Sequence, residues 1–269
     1  MILYPPAKIN LGLNILAKRP DGYHEIETII SEIPVFDILE ITQSQQDVFI
    51  QSGLILPKDE QPNLCQRAIS LLRDLVDFPK VHIHLLKQIP VGAGLGGGSS
   101  DASYTLKGLN SIFGLGLTIN QLENLAAKLG SDCPFFIQGG TQFAFGRGEQ
   151  LQLLPKLNQK VQLVVCNPNI HLSTKNAYAL VKIQGNTNNL PEAMAKKRYE
   201  KLTNDFEAPI FNLHPSIEII KNQLIELGAV HASLSGSGSS VYGIFEEDQK
   251  INIPSEFERY VVYNGAWQL

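Results

Sequence analysis

Residues 90 to 103 read PVGAGLGGGSSDAS, with five glycines and three serines in one short run. Ordered glycine costs conformational entropy, so a cluster this dense marks a backbone that must approach something closely. The chemistry that suits it is anion binding. Backbone N–H groups at the start of a helix hold a phosphate, and serine hydroxyls add donors. No lysine stands where GxxxxGK[ST] requires one, which excludes that loop. Gly92, Gly94 and Gly97 satisfy GxGxxG, yet the next segment, LTINQLENLAAKL, has helical spacing. A dinucleotide fold needs a strand there, with an acidic residue about 20 positions on. A flexible linker is excluded by context, because the cluster joins a strand pattern directly to a periodic helix.

Other chemistry-bearing groups lie elsewhere along the chain. Lys8 and Asn10 stand on the polar side of an alternating run, Tyr23 and His24 follow an Asp21-Gly22 turn, and Asp132 precedes Pro134. Taken alone, Asp132 reads first as a helix cap, with a functional carboxylate as the alternative. A second glycine-serine cluster, SLSGSGSSVYGIF, spans 233 to 245. His82 and His84 share a strand face without a third ligand in register, so no metal centre is expected there.

The elements that must position these groups follow from periodicity. Ala7, Ile9, Leu11, Leu13 and Ile15 alternate with Lys8, Asn10, Gly12 and Asn14, which predicts a half-buried strand with Lys8 facing a polar space. One strand-like region is expected over 24 to 41, a helix over 63 to 76, and a strand, KVHIHLLKQIP, feeding the glycines. Ala102, Leu106, Leu109 and Phe113 are spaced as a helix, with Ser99 or Ser100 as its expected cap. Another helix is expected from Thr118 to a Gly130 C-cap, after which GSDCPFFIQGGTQFAFGRGE returns to turns and strand. PKLNQK, residues 155 to 160, looks like a connection, and VQLVVCNP opens a second domain; the expected domains are 1–157 and 158–269. A loop is expected over 185 to 192 and helices over 191 to 204 and 215 to 227.

Composition narrows the class. The 269 residues are 43% hydrophobic and 18% charged, an ordinary globular balance. Formal charge is −4 with no basic stripe, which argues against a nucleic-acid partner. Lys196-Lys197-Arg198 reads as a solvated helix face. No apolar run approaches the roughly 20 residues of a membrane span, and the N-terminus lacks the pattern of a signal peptide. Three widely spaced cysteines form no CxxC pair, which suggests a reducing, cytoplasmic setting.

PVGAGLGGGSSDAS resembles the second motif of the GHMP kinases, small-molecule kinases with a glycine- and serine-rich phosphate loop. PAKINLGLNIL, LGSDCPFFI and SLSGSGSSVYG sharpen the resemblance by their order and spacing. RPDGYHEIETII narrows it to the member acting on a cytidine-diphosphate-linked methylerythritol, in the non-mevalonate route to isoprenoid precursors. Asn204-Asp205 with Phe206-Glu207 also resembles a segment of that member; beyond residue 245 no motif is recognisable.

The resemblance implies an α+β, two-domain GHMP kinase fold, ribosomal-protein-S5-like in its N-terminal domain and ferredoxin-like in its C-terminal one. It implies ATP-dependent phosphorylation of the substrate's 2-hydroxyl, with Mg2+ accompanying ATP and held by phosphates and a serine. It places Lys8 and Asp132 at the accepting hydroxyl, Asp132 as proton acceptor and Lys8 as the cation that offsets charge on the oxygen. Asn10 would orient Lys8 and substrate, Tyr23 and Tyr178 would stack on the cytosine, and His24 would hydrogen-bond beside it. ATP would be bound by Pro90, Val91, Gly92, Ala93, Gly94, Leu95, Gly96, Gly97, Gly98, Ser99 and Ser100. Asn63, Leu64, Lys87 and Asn110 would line the adenine side, and Gly236, Ser237 and Gly238 would close over the phosphates. No dedicated metal ligands and no membrane or nucleic-acid partner are implied, and a monomer or weak homodimer is expected. Two alternatives stand beside this reading: a GHMP kinase for homoserine, mevalonate or a sugar, and a nucleotide-binding module without catalysis.

Overall fold

The computed structural model describes residues 1–54, 62–183, 185 and 188–269. Asn186 and Thr187, in the loop expected over 185 to 192, lie outside the described residues. Contacts divide the chain into two units, neither of them continuous in sequence. One comprises Met1–Ala7, Val35–Val91 and Gly96–Gly139; the other comprises Lys8–Pro34, Gly92–Leu95 and Gly140–Leu269.

The first unit is a four-stranded sheet covered by helices. Its strands are β1 (Ile2–Leu3), β4 (Ile38–Gln43), β6 (Val81–Lys87) and β5 (Val48–Gly53), in that spatial order. β5 and β6 pair in parallel across helix α1 (Leu64–Arg73), and β4 pairs with β6 antiparallel. The remaining helices are α2 (Gly97–Ile112), α3 (Ile119–Ala127) and α4 (Cys133–Gln138). Leu39, Ile41, Ile83 and Leu85 of the sheet meet Leu72, Leu106, Leu109 and Leu125 of the helices in one buried cluster. Capping boxes start two of the helices: Asn63 with Gln66 at α1, and Thr118 with Gln121 at α3. α3 ends at a Lys128 C-cap rather than at Gly130, whose backbone is not left-handed and whose carbonyl accepts from Cys133 N–H. CPFFIQ forms α4 where only turns and strand are expected from sequence.

The second unit holds two four-stranded sheets. One runs β2 (Pro6–Lys18), β3 (His24–Phe36), β7 (Thr141–Gly146), β8 (Gln150–Leu153). The other runs β10 (His231–Leu234), β11 (Val241–Phe245), β9 (Lys160–Cys166), β12 (Val261–Gln268). Helices α5 (Thr174–Leu180), α6 (Leu190–Ala195), α7 (Glu207–Leu213), α8 (Pro215–Glu226) and α9 (Ser255–Glu258) accompany them. The strand-like region over 24 to 41 is two strands, β3 and β4, separated at the buried Asp37. The helix expected over 191 to 204 stops at Ala195, because Lys197 turns left-handed; a single 3-10 turn follows at Tyr199–Lys201. The motif-free C-terminus supplies β12, and Trp267 Nε1–H donates to the Glu32 carbonyl at 3.0 Å.

β2 departs most from its sequence reading. Alternation predicts a half-buried strand, yet Lys8, Asn10 and Asn14 are as buried as the apolar residues between them. The polar face is covered by parts of the chain far away in sequence, including Leu190 and Leu202 packed against Gly12. Gly12 has φ +80°, and a Cβ there would stand 2.9 Å from Leu190 Cδ2 and 3.3 Å from Leu202 Cα. Gly12→Ala is therefore expected to lower stability by about 1–3 kcal/mol. A urea unfolding curve with a shifted midpoint and unchanged slope measures this.

Candidate active site

A lysine can be buried only if its ammonium finds acceptors. Lys8, 4% exposed, donates from Nζ to Asn10 Oδ1 at 2.5 Å. Asn10 Nδ2 donates to Thr28 Oγ1 at 2.9 Å, and the Thr28 hydroxyl donates to the Gly12 carbonyl at 2.6 Å. Each link has one sensible polarity, so the chain fixes the Asn10 amide with its oxygen toward Lys8. β2 is the edge strand of its sheet, so its outer backbone groups need partners from elsewhere. Lys8 N–H donates to the Leu95 carbonyl at 2.9 Å, and Tyr242 Oη–H donates to the Asn10 carbonyl at 2.9 Å.

The two glycine clusters meet beside this lysine. A Cβ on Gly94 would overlap the Ser235 carbonyl oxygen, while Ser235 Oγ–H donates to the Gly94 carbonyl at 2.9 Å. Ser240 N–H donates to the Ala93 carbonyl at 3.0 Å. A Cβ on Gly236 would stand 3.2 Å from Asn10 Oδ1 and 3.4 Å from Lys8 Nζ. The second loop thus lies against the Lys8–Asn10 pair. Ser237 Oγ shares a 3.2 Å hydrogen bond with Thr174 Oγ1. Gly92 faces the His171 ring.

In the first unit, Pro90 and the exposed Val91 lead toward α2. The N-cap of α2 is Gly96, left-handed at φ +69° and without a side chain to cap the helix. Ser99 and Ser100, the expected caps, instead lie inside the first turn. A glycine cap leaves first-turn N–H groups available to an outside anion. Ser100 is fully buried, and its Oγ has no hydrogen-bond partner among the described residues. The neighbouring glycines differ in kind. A Cβ on Gly97 would press on Lys87 Nζ and Ile89, whereas Gly98 is exposed and its nearest neighbour is Leu64 Cδ1 at 3.7 Å.

Lys87, expected on the adenine side, is buried and committed internally: Nζ pairs with Asp37 Oδ2 and with Asp101 Oδ2, the latter at 2.8 Å. Asp37 Oδ1 also accepts the N–H groups of Gln88 at 2.5 Å and Ile89 at 2.9 Å. Burial works against the Lys87 charge, but the two carboxylates outweigh it and raise its pKa. Burial pushes Asp101 up to about 7, with Lys87 opposing and Asp37 adding to the rise. Asn63 is engaged as the α1 cap and Leu64 is the first residue of that helix, packed on its core. The Asn110 side chain bonds both the N–H and the carbonyl of Leu117. Asp132 sits at the N-cap position of α4 but makes no capping bond, so its carboxylate is not spent on the helix.

Of the three aromatic candidates, two meet each other. His24 and Tyr178 stack at 4.7 Å between centroids and 17° between planes. Burial, helped by the Lys18 charge, lowers the His24 pKa, which favours a neutral ring able to donate and accept. Tyr23 is 59% exposed, with the Arg147 guanidinium 5.0 Å from its ring centroid. His84 hydrogen-bonds Ser52 through Nε2 at 2.8 Å. Sequence reasoning missed Thr28, Asp37, Asp101 and Arg147. A lone aspartate inside the apolar run IPVFDILEI was a readable signal for Asp37; for Thr28 none existed, because its partners lie on another strand.

The fold and the glycine-capped helix define a class, and comparison agrees. The model described as "GHMP kinases N terminal domain" matches residues 63–140, and "GHMP kinases C terminal" matches 178–262. The chain belongs to the GHMP kinases. Within them it is 42% identical to a 4-diphosphocytidyl-2-C-methyl-D-erythritol kinase of Parabacteroides distasonis, over 98% of this chain and 99% of that one. It is 45% identical to the protein of the same name from Azobacteroides pseudotrichonymphae, over 92% and 94%. A crystal structure of 4-(cytidine 5'-diphospho)-2C-methyl-D-erythritol kinase superposes with TM-score 0.78 at 31% identity, covering 99% of this chain and 97% of that one.

Two outcomes follow from this geometry. An aspartate ordinarily titrates near 3.8, so between about pH 4 and pH 7 the folded chain keeps a proton on Asp101 that the unfolded chain has released. That contribution to stability is complete below about pH 4 and is lost as pH rises through 7. Asp101→Asn carries no such proton, so it should flatten this decline and exceed wild type in stability at pH 8, measured as urea midpoints across pH. Gly98→Ala should stabilise α2 by up to about 1 kcal/mol, while its methyl crowds the exposed helix start. A higher Tm with weaker binding of an ATP analogue is the expected pair of results.

Proposed function

We propose that the chain transfers the terminal phosphoryl group of ATP to the 2-hydroxyl of 4-diphosphocytidyl-2-C-methyl-D-erythritol. The single observation that carries this choice among GHMP kinases is the His24–Tyr178 stack, next to an exposed Tyr23. A kinase for a bare sugar alcohol or an amino acid has no use for an aromatic platform beside a neutral histidine. Near full-length identity of 42–45% to relatives named for the cytidyl substrate supports the same choice. The Lys8–Asn10 pair lying against Gly236 favours an enzyme over a mere nucleotide-binding module.

Phosphoryl transfer asks a protein chiefly for positioning and charge stabilisation. Asp132 accepts the hydroxyl proton. Lys8, oriented by Asn10, offsets the charge that builds on the attacking oxygen. First-turn N–H groups of α2 and residues 90–100 receive the ATP phosphates, and Gly236, Ser237 and Gly238 close on them. Asn63, Leu64, Lys87 and Asn110 serve the adenine side through the local backbone they hold, since the three polar side chains have internal partners. Tyr23 and Tyr178 stack on the cytosine and His24 bonds its edge. Magnesium arrives with ATP; the orphaned Ser100 hydroxyl suits such a hard cation as an oxygen donor. The family's domains correspond to 1–157 and 158–269. The reaction belongs to the cytoplasm, and a monomer or weak homodimer suffices.

A coupled ADP-release assay offering the cytidyl substrate, homoserine and mevalonate side by side tests the reading. Turnover of the cytidyl substrate alone is expected; preference for either of the others overturns it. Asp132→Asn keeps the shape but cannot take a proton, so kcat should fall roughly 10²-fold or more while ATP-analogue affinity stays near wild type. Near-normal turnover would remove Asp132 from the role of base.

A further inference from the structure

The run Asn204-Asp205-Phe206-Glu207 lies outside the second glycine cluster and the aromatic stack in sequence, yet it touches both. Its backbone pairs with the open edge of β2: Leu13 N–H donates to the Thr203 carbonyl at 2.8 Å, and Asp205 N–H donates to the Leu13 carbonyl at 2.9 Å. Asp205 Oδ2 accepts Ile15 N–H at 2.7 Å, extending the clasp along that edge. The Asn204 side chain then turns the other way. Its Nδ2 donates to the carbonyls of Leu234 at 2.8 Å and Gly236 at 2.9 Å, and its Oδ1 accepts Phe206 N–H at 3.0 Å. Only a short amide offers two donors and an acceptor in that arrangement. Asn204 is 4% exposed, so losing these bonds would leave buried carbonyls unpaired.

Phe206, 1% exposed, meets the Tyr178 ring edge-on at 4.9 Å and 80°, and Tyr178 in turn stacks on His24. Glu207 fastens the strand that leads into the loop: Oε1 accepts Ser233 Oγ–H at 2.8 Å and Leu234 N–H at 3.0 Å, and Oε2 pairs with Lys221 at 2.6 Å. Gly236, held by Asn204, is the residue lying against Lys8 and Asn10. We propose that Asn204 and Phe206 are positioning residues with separate clients. Asn204 sets the second glycine loop against the Lys8–Asn10 pair, and Phe206 sets Tyr178 against His24 for the nucleobase. This inference rests on the cytidyl-kinase reading.

Steady-state kinetics of Asn204→Asp, Asn204→Ser and Phe206→Leu, with the two substrates varied separately, test it. Asn204→Asp turns a carboxylate oxygen toward two carbonyls, so KM for ATP should rise and kcat fall, each by about tenfold, with the cytidyl KM within twofold of wild type. Asn204→Ser, which keeps one donor, should do the same more weakly, and it carries the test should the aspartate variant not fold. Phe206→Leu should raise the cytidyl KM by about two- to tenfold with ATP KM unchanged. A purely structural role lowers Tm and the active fraction, moving kcat alone in every variant. That result, or both KM values moving together, overturns the inference. Absence of cytidyl turnover in the wild-type chain overturns the functional reading instead, and binding of an ATP analogue to the Asn204 variants would still report on the loop.

Discussion

A buried ammonium on the edge strand of a sheet is the constraint around which the second unit is organised. Lys8 has lost most of its water, so Asn10 must present an oxygen, and Thr28 must hold the amide that presents it. The same strand has an unpaired outer edge, which would invite pairing with another chain if left open. That edge is closed piece by piece, by the Leu95 carbonyl, the Tyr242 hydroxyl, and the backbone from Thr203 to Asp205. Each closure fixes one more part of the neighbourhood of Lys8. The result is a lysine whose surroundings are set by the chain's own contacts.

The first unit contains a second buried lysine with the opposite character. Lys87, at the end of β6, is matched against two carboxylates that come from separate places, Asp37 at the β3–β4 junction and Asp101 on α2. Removing Lys87 would leave two buried carboxylates facing each other without a cation, so the lysine is the member that ties α2 to the sheet. The group's excess negative charge is relieved by the proton that Asp101 retains well above its ordinary range. Lys8 donates to the neutral amide of Asn10, whereas Lys87 is ion-paired. Two buried lysines that composition alone cannot tell apart are thus held in different ways.

What was legible in the sequence was whatever depends on near neighbours along the chain. Helix α1 announces itself through Asn63 and Gln66, α3 through Thr118 and Gln121, and β2 through its alternation. The GYH element and HLSTKNAY were also enough to nominate His24 and Tyr178, which the fold stacks face to face. Burial of Lys8 was not legible, because Leu95 and Gly236, which lie against it, are distant in sequence, and periodicity describes only one strand's own faces. The cap of α2 was misread for a related reason. A serine beside a helix pattern is ordinarily the better cap, but here a left-handed glycine starts the helix and draws both serines inside.

The glycine cluster shows how far a residue's type is from its role. Gly94 is a glycine because the Ser235 carbonyl occupies the space where a side chain would stand. Gly97 is one because the Lys87 ammonium and Ile89 lie against it. Neither exclusion involves a ligand; both come from the protein's own packing. Gly98 alone of these three faces open space, in the turn whose N–H groups have no side-chain cap. A dense glycine run therefore records first the close approach of the chain to itself: Gly94 and Gly97 are required by contacts within the protein, and those contacts hold the run in place whatever binds beside it.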